Sequence, residues 1–136
     1  AATTDLPGFS VQEEAGGLRF SLGADVLFDF DKATIRADAE PALTRAAELL
    51  KSYPQAQVSI GGHTDAKGDD AYNEGLSLRR ARAVAARLQR EAGRTLAAEG
   101  FGERRPVAPN VKPDGSDDPD GRQKNRRVEV VFDTCK

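Results

Sequence analysis

The stretch from Gly61 to Val84, GGHTDAKGDDAYNEGLSLRRARAV, sets the terms for the rest of the chain. It opens where an apolar-alternating run ends and closes inside a strong helical pattern. Leu76, Val84 and Leu88 recur at four- and eight-residue steps, the spacing of one helix face. Arg80 falls on that same seam, where an aliphatic side chain is expected. An arginine on an inward row costs free energy unless a partner meets it. Asn73 precedes Arg80 by seven residues and shares its face, and Asp65 lies in the loop just before the helix. A carboxylate and a guanidinium thus converge near a helix N-terminus, as in a binding site. Two readings of them stand side by side. Asp65 and Arg80 can pair with each other as a structural ion pair. Alternatively they hold opposite ends of a zwitterion, Asp65 accepting from an ammonium and Arg80 forking onto a carboxylate. In the second reading the helix N-terminus favours the anionic end, and Asn73 orients either group.

Around this stretch the chain alternates strand and helix signals. Residues 1–15 show no sustained period and contain Pro7 and Gly8, which predicts an N-terminal tail or linker before a domain over residues 16–134. Leu18, Phe20 and Leu22 alternate with Arg19 and Ser21 as in a half-buried strand. After a break at Gly23, Val26-Leu27-Phe28 resumes an apolar run. Leu43, Ala46, Ala47, Leu50 and Tyr53 give an amphipathic helix that starts near Asp38, with Pro41 in its first turn and Pro54 as its stop. Val58 to Ile60 is a short strand. The second helix runs from Asp70 to Ala92, capped by Asp69 or Asp70 and followed by Gly93. Gly75 inside it costs roughly 1 kcal/mol relative to alanine, which predicts close approach of a backbone or ligand there. Leu96 to Phe101 is a third strand candidate. Residues 102–125 read as one long polar connection, and Val128, Val130 and Phe132 mark a final strand. The expected fold is α+β: a βαβαβ-β sandwich, with a mixed four-stranded sheet and two main helices packed on one face.

Composition removes several function classes. A length of 136 residues suits one domain, and 38% hydrophobic with 31% charged residues is an ordinary soluble balance. The net charge of −2 lacks the basic excess of a nucleic-acid binder. No apolar run approaches the ~18 residues of a membrane span. With no methionine, the chain is expected to be a processed protein or an excised domain, any anchor or export signal lying upstream. The single cysteine, Cys135, permits no internal disulfide; pairing with a partner chain, a trimmed tail or a free thiol stay open, and the plain reading is a tail thiol.

The remaining chemistry-bearing residues favour plain readings. His63 is the only histidine, and no second His or paired Cys completes a zinc site. No GxSxG turn supplies a nucleophile for it. No cofactor is expected. The loop from Asp114 to Gly121 is dense in carboxylates, but its spacing is not that of a twelve-residue EF-hand loop and Pro119 interrupts it. It reads as solvated. Of Arg126 and Arg127, one is expected in an inward salt bridge and the other exposed.

Several motifs in fixed order resemble the OmpA-like C-terminal domain, the peptidoglycan-associating module of bacterial envelope proteins. They are Phe28-Asp29-Phe30-Asp31-Lys32, Gly62-His63-Thr64-Asp65, Tyr72-Asn73, Leu76-Ser77, Arg79-Arg80-Ala81 and Val84. Gly100-Phe101-Gly102-Glu103, Pro106, Asn110 and Asn125-Arg126-Arg127-Val128-Glu129 continue the match, which covers about residues 20–132. The resemblance implies a non-catalytic domain that binds the diaminopimelate-containing stem peptide of peptidoglycan and tethers an envelope protein to the cell wall. It implies that Asp65 meets the ligand ammonium and Arg80 its carboxylate. Asn73 would support them, Asp31 would stand at the pocket after the first strand, and Thr64, Leu76 and Phe30 would line it. The implied setting is the periplasm of a Gram-negative bacterium, in an outer-membrane or lipoprotein-anchored protein, with a homodimer left open. The alternative is a stator- or secretion-type interaction and dimerisation domain of the same fold. Two departures stand out: His63, where the family often has tyrosine, predicts an altered pocket rim, and the loop 111–124 is longer and more acidic than a minimal version.

Overall fold

The computed structural model describes residues 9–14, 16–29 and 32–133. Five strands form one sheet in the order β1-β2-β5-β3-β4: β1 (Phe9–Glu14), β2 (Gly17–Gly23), β3 (Gln57–His63), β4 (Ala97–Gly100) and β5 (Arg127–Asp133). The last strand of the chain is the middle of the sheet, antiparallel to both β2 and β3, whereas β3 and β4 are parallel. The helices are α1 (Ala24–Leu27), α2 (Glu40–Ser52), α3 (Asp70–Ala92) and α4 (Pro119–Asn125), with a 3-10 turn over Ala37–Ala39 ahead of α2. No helix among the described residues is long and apolar enough to cross a membrane.

The α+β class and the two main helices on one face agree with the sequence. The strand count does not: the sheet has five strands rather than four. The extra strand is β1, inside the stretch expected to be a tail. It pairs only with β2, Val11 opposite Phe20, and Val11 alone of its described side chains packs against the core. An edge strand with so little apolar burden leaves almost no period in the sequence. The apolar run Val26 to Phe28 falls on a helical turn and the residue after it. Leu27 enters the core from the single turn α1, whose Ala24 N–H donates to Arg126 O at 2.9 Å. The long polar connection contains α4, capped by the Asp118 side chain accepting from Gly121 N–H, with Pro119 opening the helix.

The core lies between the sheet and the α2–α3 layer. Phe20, Leu22, Ile60, Val128, Val130 and Phe132 point up from β2, β3 and β5, and Leu43, Leu50, Val84 and Leu88 meet them from the helices; all are essentially fully buried. Phe20 and Phe132 pack edge to face at 4.9 Å. At the other end of α3 the packing changes character. Glycines of the sheet lie directly beneath the helix backbone: a Cβ on Gly62 would stand 2.1 Å from Ser77 O, and one on Gly100 2.6 Å from Leu78 N. The glycine that needs its missing side chain is therefore not Gly75, whose Cβ would meet only the end of the Arg79 side chain at 3.4 Å. This close approach sets the N-terminus of α3 beside the end of β3.

Candidate functional site

A cleft of ≈ 760 Å³ opens where β3 ends and α3 begins. Thr64, Asp65, Lys67 and Gly68 of the β3–α3 loop form one wall, and Tyr72, Asn73, Leu76 and Arg80 of α3 form its floor. Asp25, Phe28, Asp29 and Arg36 come from α1 and the segment after it, and Arg122 and Arg126 come from α4 and its end.

The helix seam places Arg80 as its spacing predicts. Leu76, Arg80 and Val84 lie on the buried side of α3, and Arg80 is 7% exposed. It is met by backbone carbonyls: Nε donates to Lys32 O at 2.8 Å and Nη2 approaches Asp29 O at 3.4 Å. Its guanidinium also lies over the Phe28 ring, 4.9 Å from the centroid. Asn73 donates from Nδ2 to Lys67 O at 2.8 Å and so ties the loop to the helix. Thr64 donates from Oγ1 to Asp65 O at 2.9 Å. Five expected site residues, Asp65, Arg80, Asn73, Thr64 and Leu76, thus share one cleft. Phe30 and Asp31 lie outside the described residues, as does Cys135.

Asp65, also 7% exposed, forms its ion pairs with Arg126 and Arg122 and not with Arg80. Arg126 Nη1 donates to Asp65 Oδ2 at 2.7 Å and Arg122 Nη1 to the same oxygen at 3.4 Å, while Lys67 N–H donates to Oδ1 at 2.9 Å. Each arginine is gripped from behind by a second carboxylate. Arg126 Nε and Nη2 donate to the two oxygens of Asp25 at 3.1 and 3.0 Å. Arg122 Nε and Nη2 donate to those of Asp117 at 2.6 and 2.7 Å. The hydrogen bond from Arg122 holds the Asp117 carboxyl below its ordinary range, and donation to Asp117 and to Asp25 pushes Arg122 and Arg126 up.

Asn125 braces this side of the site. It is fully buried, accepts from Val107 and Ala108 N–H through Oδ1, and donates to Ala108 O and Asn110 Oδ1 through Nδ2. Asn110 Oδ1 in turn accepts from Ala66 N–H at 3.2 Å, next to Asp65. The acidic loop is folded rather than merely solvated: Asp114 turns onto Ser116, Asp117 holds Arg122 and Asp118 caps α4.

His63 is not on the cleft rim. It pairs in register with Arg127, and Gly61 with Glu129, so its ring lies on the sheet face away from the helices. There it stacks on Phe101 at 5.1 Å and its Nε2 lies 3.7 Å from Glu129 Oε1. Of the two arginines, Arg127 makes the buried salt bridge, at 2.8 Å to Glu129, and Arg126 is part of the site. Strand alternation accounts for this split. Arg126 stood in a motif recognisable in the sequence. Arg122 did not, because only a helix starting at Asp118-Pro119 directs it at Asp65.

A mixed sheet under two helices, with a charged cleft at the head of the second, is the architecture of an OmpA-like domain. The OmpA family model matches residues 27–119, and the chain belongs to the OmpA family. It is 47% identical over 131 residues to the photosystem I P700 chlorophyll a apoprotein A2 of Gloeobacter violaceus, spanning 95% of this chain but 15% of that protein. It is 42% identical over 112 residues to the peptidoglycan-binding protein ArfA of Mycobacterium tuberculosis, 80% of this chain and 32% of that protein. The cell wall anchor of the T6SS from Pseudomonas aeruginosa superposes with a TM-score of 0.81 at 30% identity, covering 93% of this chain and 88% of the anchor. The chain therefore corresponds to a minor part of either curated relative.

Proposed function

We propose that this domain binds peptidoglycan non-covalently through the diaminopimelate of an uncrosslinked stem peptide, and so tethers an envelope protein to the cell wall. The observation that supports this most is the pairing of two buried, oppositely charged groups, Asp65 and Arg80, in one cleft with separate partners. A zwitterionic amino-acid head fits such a pair: the ammonium donates to Asp65, and the carboxylate takes the guanidinium of Arg80. Asp65 Oδ1 receives one backbone N–H and keeps a lone pair for the ligand. The names of ArfA and of the cell wall anchor agree with such a role. The domain acts by binding and not by chemistry on the polymer, and it works where the wall lies, in the periplasm, carried by an outer-membrane protein or lipoprotein.

Titration with free diaminopimelate, followed by backbone amide shifts, tests the reading, together with co-sedimentation with purified sacculi. Asp65→Ala and Arg80→Ala are each expected to weaken binding about 30-fold, the loss of about 2 kcal/mol of charge-assisted hydrogen bonding. Their circular dichroism should stay that of the wild type. Wild-type binding by both variants would overturn the assignment.

A further inference from the structure

Asp65 is held by a two-armed clamp whose outer jaws come from opposite ends of the chain. Arg122 and Arg126 each turn two nitrogens onto an outer carboxylate, Asp117 and Asp25, and each has Nη1 left to point at the single oxygen Asp65 Oδ2. We infer that Asp117 and Asp25 are positioning and charge-setting residues for ammonium recognition at Asp65, and that the acidic loop 111–118 with α4 belongs to the ligand site. The inference rests on the proposed function and names the groups that tune it.

Two physical arguments lead there. The first is charge. Two arginines alone beside Asp65 would leave the cluster positive and repel an ammonium. With both outer aspartates it holds three carboxylates against two guanidinium groups, one net negative charge. The Asp65 side chain is only 10% exposed, so the two guanidinium groups act on it with little screening by water, and the half-exposed outer aspartates offset their charge. The second is geometry. Exposed ion pairs ordinarily contribute little, but a bidentate arginine–carboxylate fork is the arrangement that does hold. Gripped from behind, neither arginine can swing its whole fork onto Asp65 or reach for the ligand carboxylate meant for Arg80. The carboxylate of Asp65 is fixed by three donors, two on Oδ2 and Lys67 N–H on Oδ1, which leaves Oδ1 aimed for an incoming donor. Pre-ordering of this kind improves affinity by lowering the cost of organising the site on binding.

The test compares meso-diaminopimelate with pimelate, the same seven-carbon chain without ammonium groups, by amide-shift titration of wild type, D25N, D117N, D117E and D25N/D117N. Asp25 and Asp117 are half exposed, so the variants are expected to fold. Each single asparagine should weaken diaminopimelate binding about tenfold, the double variant by more, and D117E should recover most of the loss. Pimelate binding should change less than twofold, because only the ammonium reads the clamp. Wild-type affinity for diaminopimelate in the asparagine variants would overturn the inference alone. Equal losses for both ligands would reduce the clamp to a structural brace and overturn it too. Failure of the wild type to bind diaminopimelate would instead overturn the functional reading, and the inference with it.

Discussion

The imidazole of His63 lies stacked on Phe101 with its Nδ1 buried and no hydrogen-bond partner for that atom among the described residues. Burial disfavours its charged form most, the guanidinium of Arg127 adds to this, and Glu129 opposes them only in part; the pKa falls to about 4. An unfolded histidine titrates near 6.5, so between pH 6.5 and 4 the unfolded chain takes up a proton that the folded one refuses. Stability from this group is complete above pH 6.5, declines as pH falls, and is gone below about 4. Wild type should lose about 2 kcal/mol from this source between pH 7 and 4.5. His63→Gln should show a flatter profile, read from urea midpoints across that window; identical slopes for the two proteins would contradict the assignment. At the same scale Arg80 shows how a charge is kept on a buried row, since two carbonyls and an aromatic face replace its water.

Within α3 the two ends rest on different surfaces. Leu88, Val84 and Ala81 bury an apolar stripe in the core, whereas the helix backbone around Glu74, Ser77 and Leu78 sits on glycines of β3 and β4. Ser77 locks this contact by donating to Glu74 O and accepting from Gly102 N–H at 3.0 Å. Gly62→Ala would drive a methyl into backbone that cannot yield, so a loss of about 3 kcal/mol is expected, with the cleft disturbed as α3 is lifted. Gly75→Ala meets only a mobile arginine end and should raise stability by about 0.5–1 kcal/mol through helix propensity. Thermal unfolding of the two variants separates these outcomes, and a Gly62→Ala protein as stable as wild type would refute the close packing.

Across the whole molecule, the cleft is assembled from segments far apart in the chain, with Asp25 and Arg126 joined across 101 residues. What brings them together is β5, which enters last and fills the middle of the sheet between β2 and β3. The edge strand β1 is peripheral to this assembly: it pairs with β2, and none of its described side chains lines the cleft. Removal of residues 1–15 should therefore lower stability by about 1–3 kcal/mol, mainly through Val11 burial and exposure of the β2 edge, while diaminopimelate affinity stays within twofold. A truncated protein that folds but no longer binds would show that the edge strand supports the cleft after all.

Periodicity made the two long helices and the strands carrying Phe20, Ile60 and Val130 readable in advance, because each is a local pattern repeated over many residues; residue type marked the Gly93 stop and narrowed the cap to Asp69 or Asp70, of which the structure uses Asp69. Arg80 announced itself by breaking such a pattern. Val11 and the α4 helix left too short a trace: an edge strand with one core contact among its described side chains and a seven-residue helix in a Pro- and Asp-rich run have no period to detect. The face of His63 turned on the register of β3 against β5, which a one-residue shift would have reversed. The partners of Asp65 were beyond any local signal. They are set by long-range closure, in which a strand placed last in the chain and a helix inside its longest connection deliver two arginines to one oxygen.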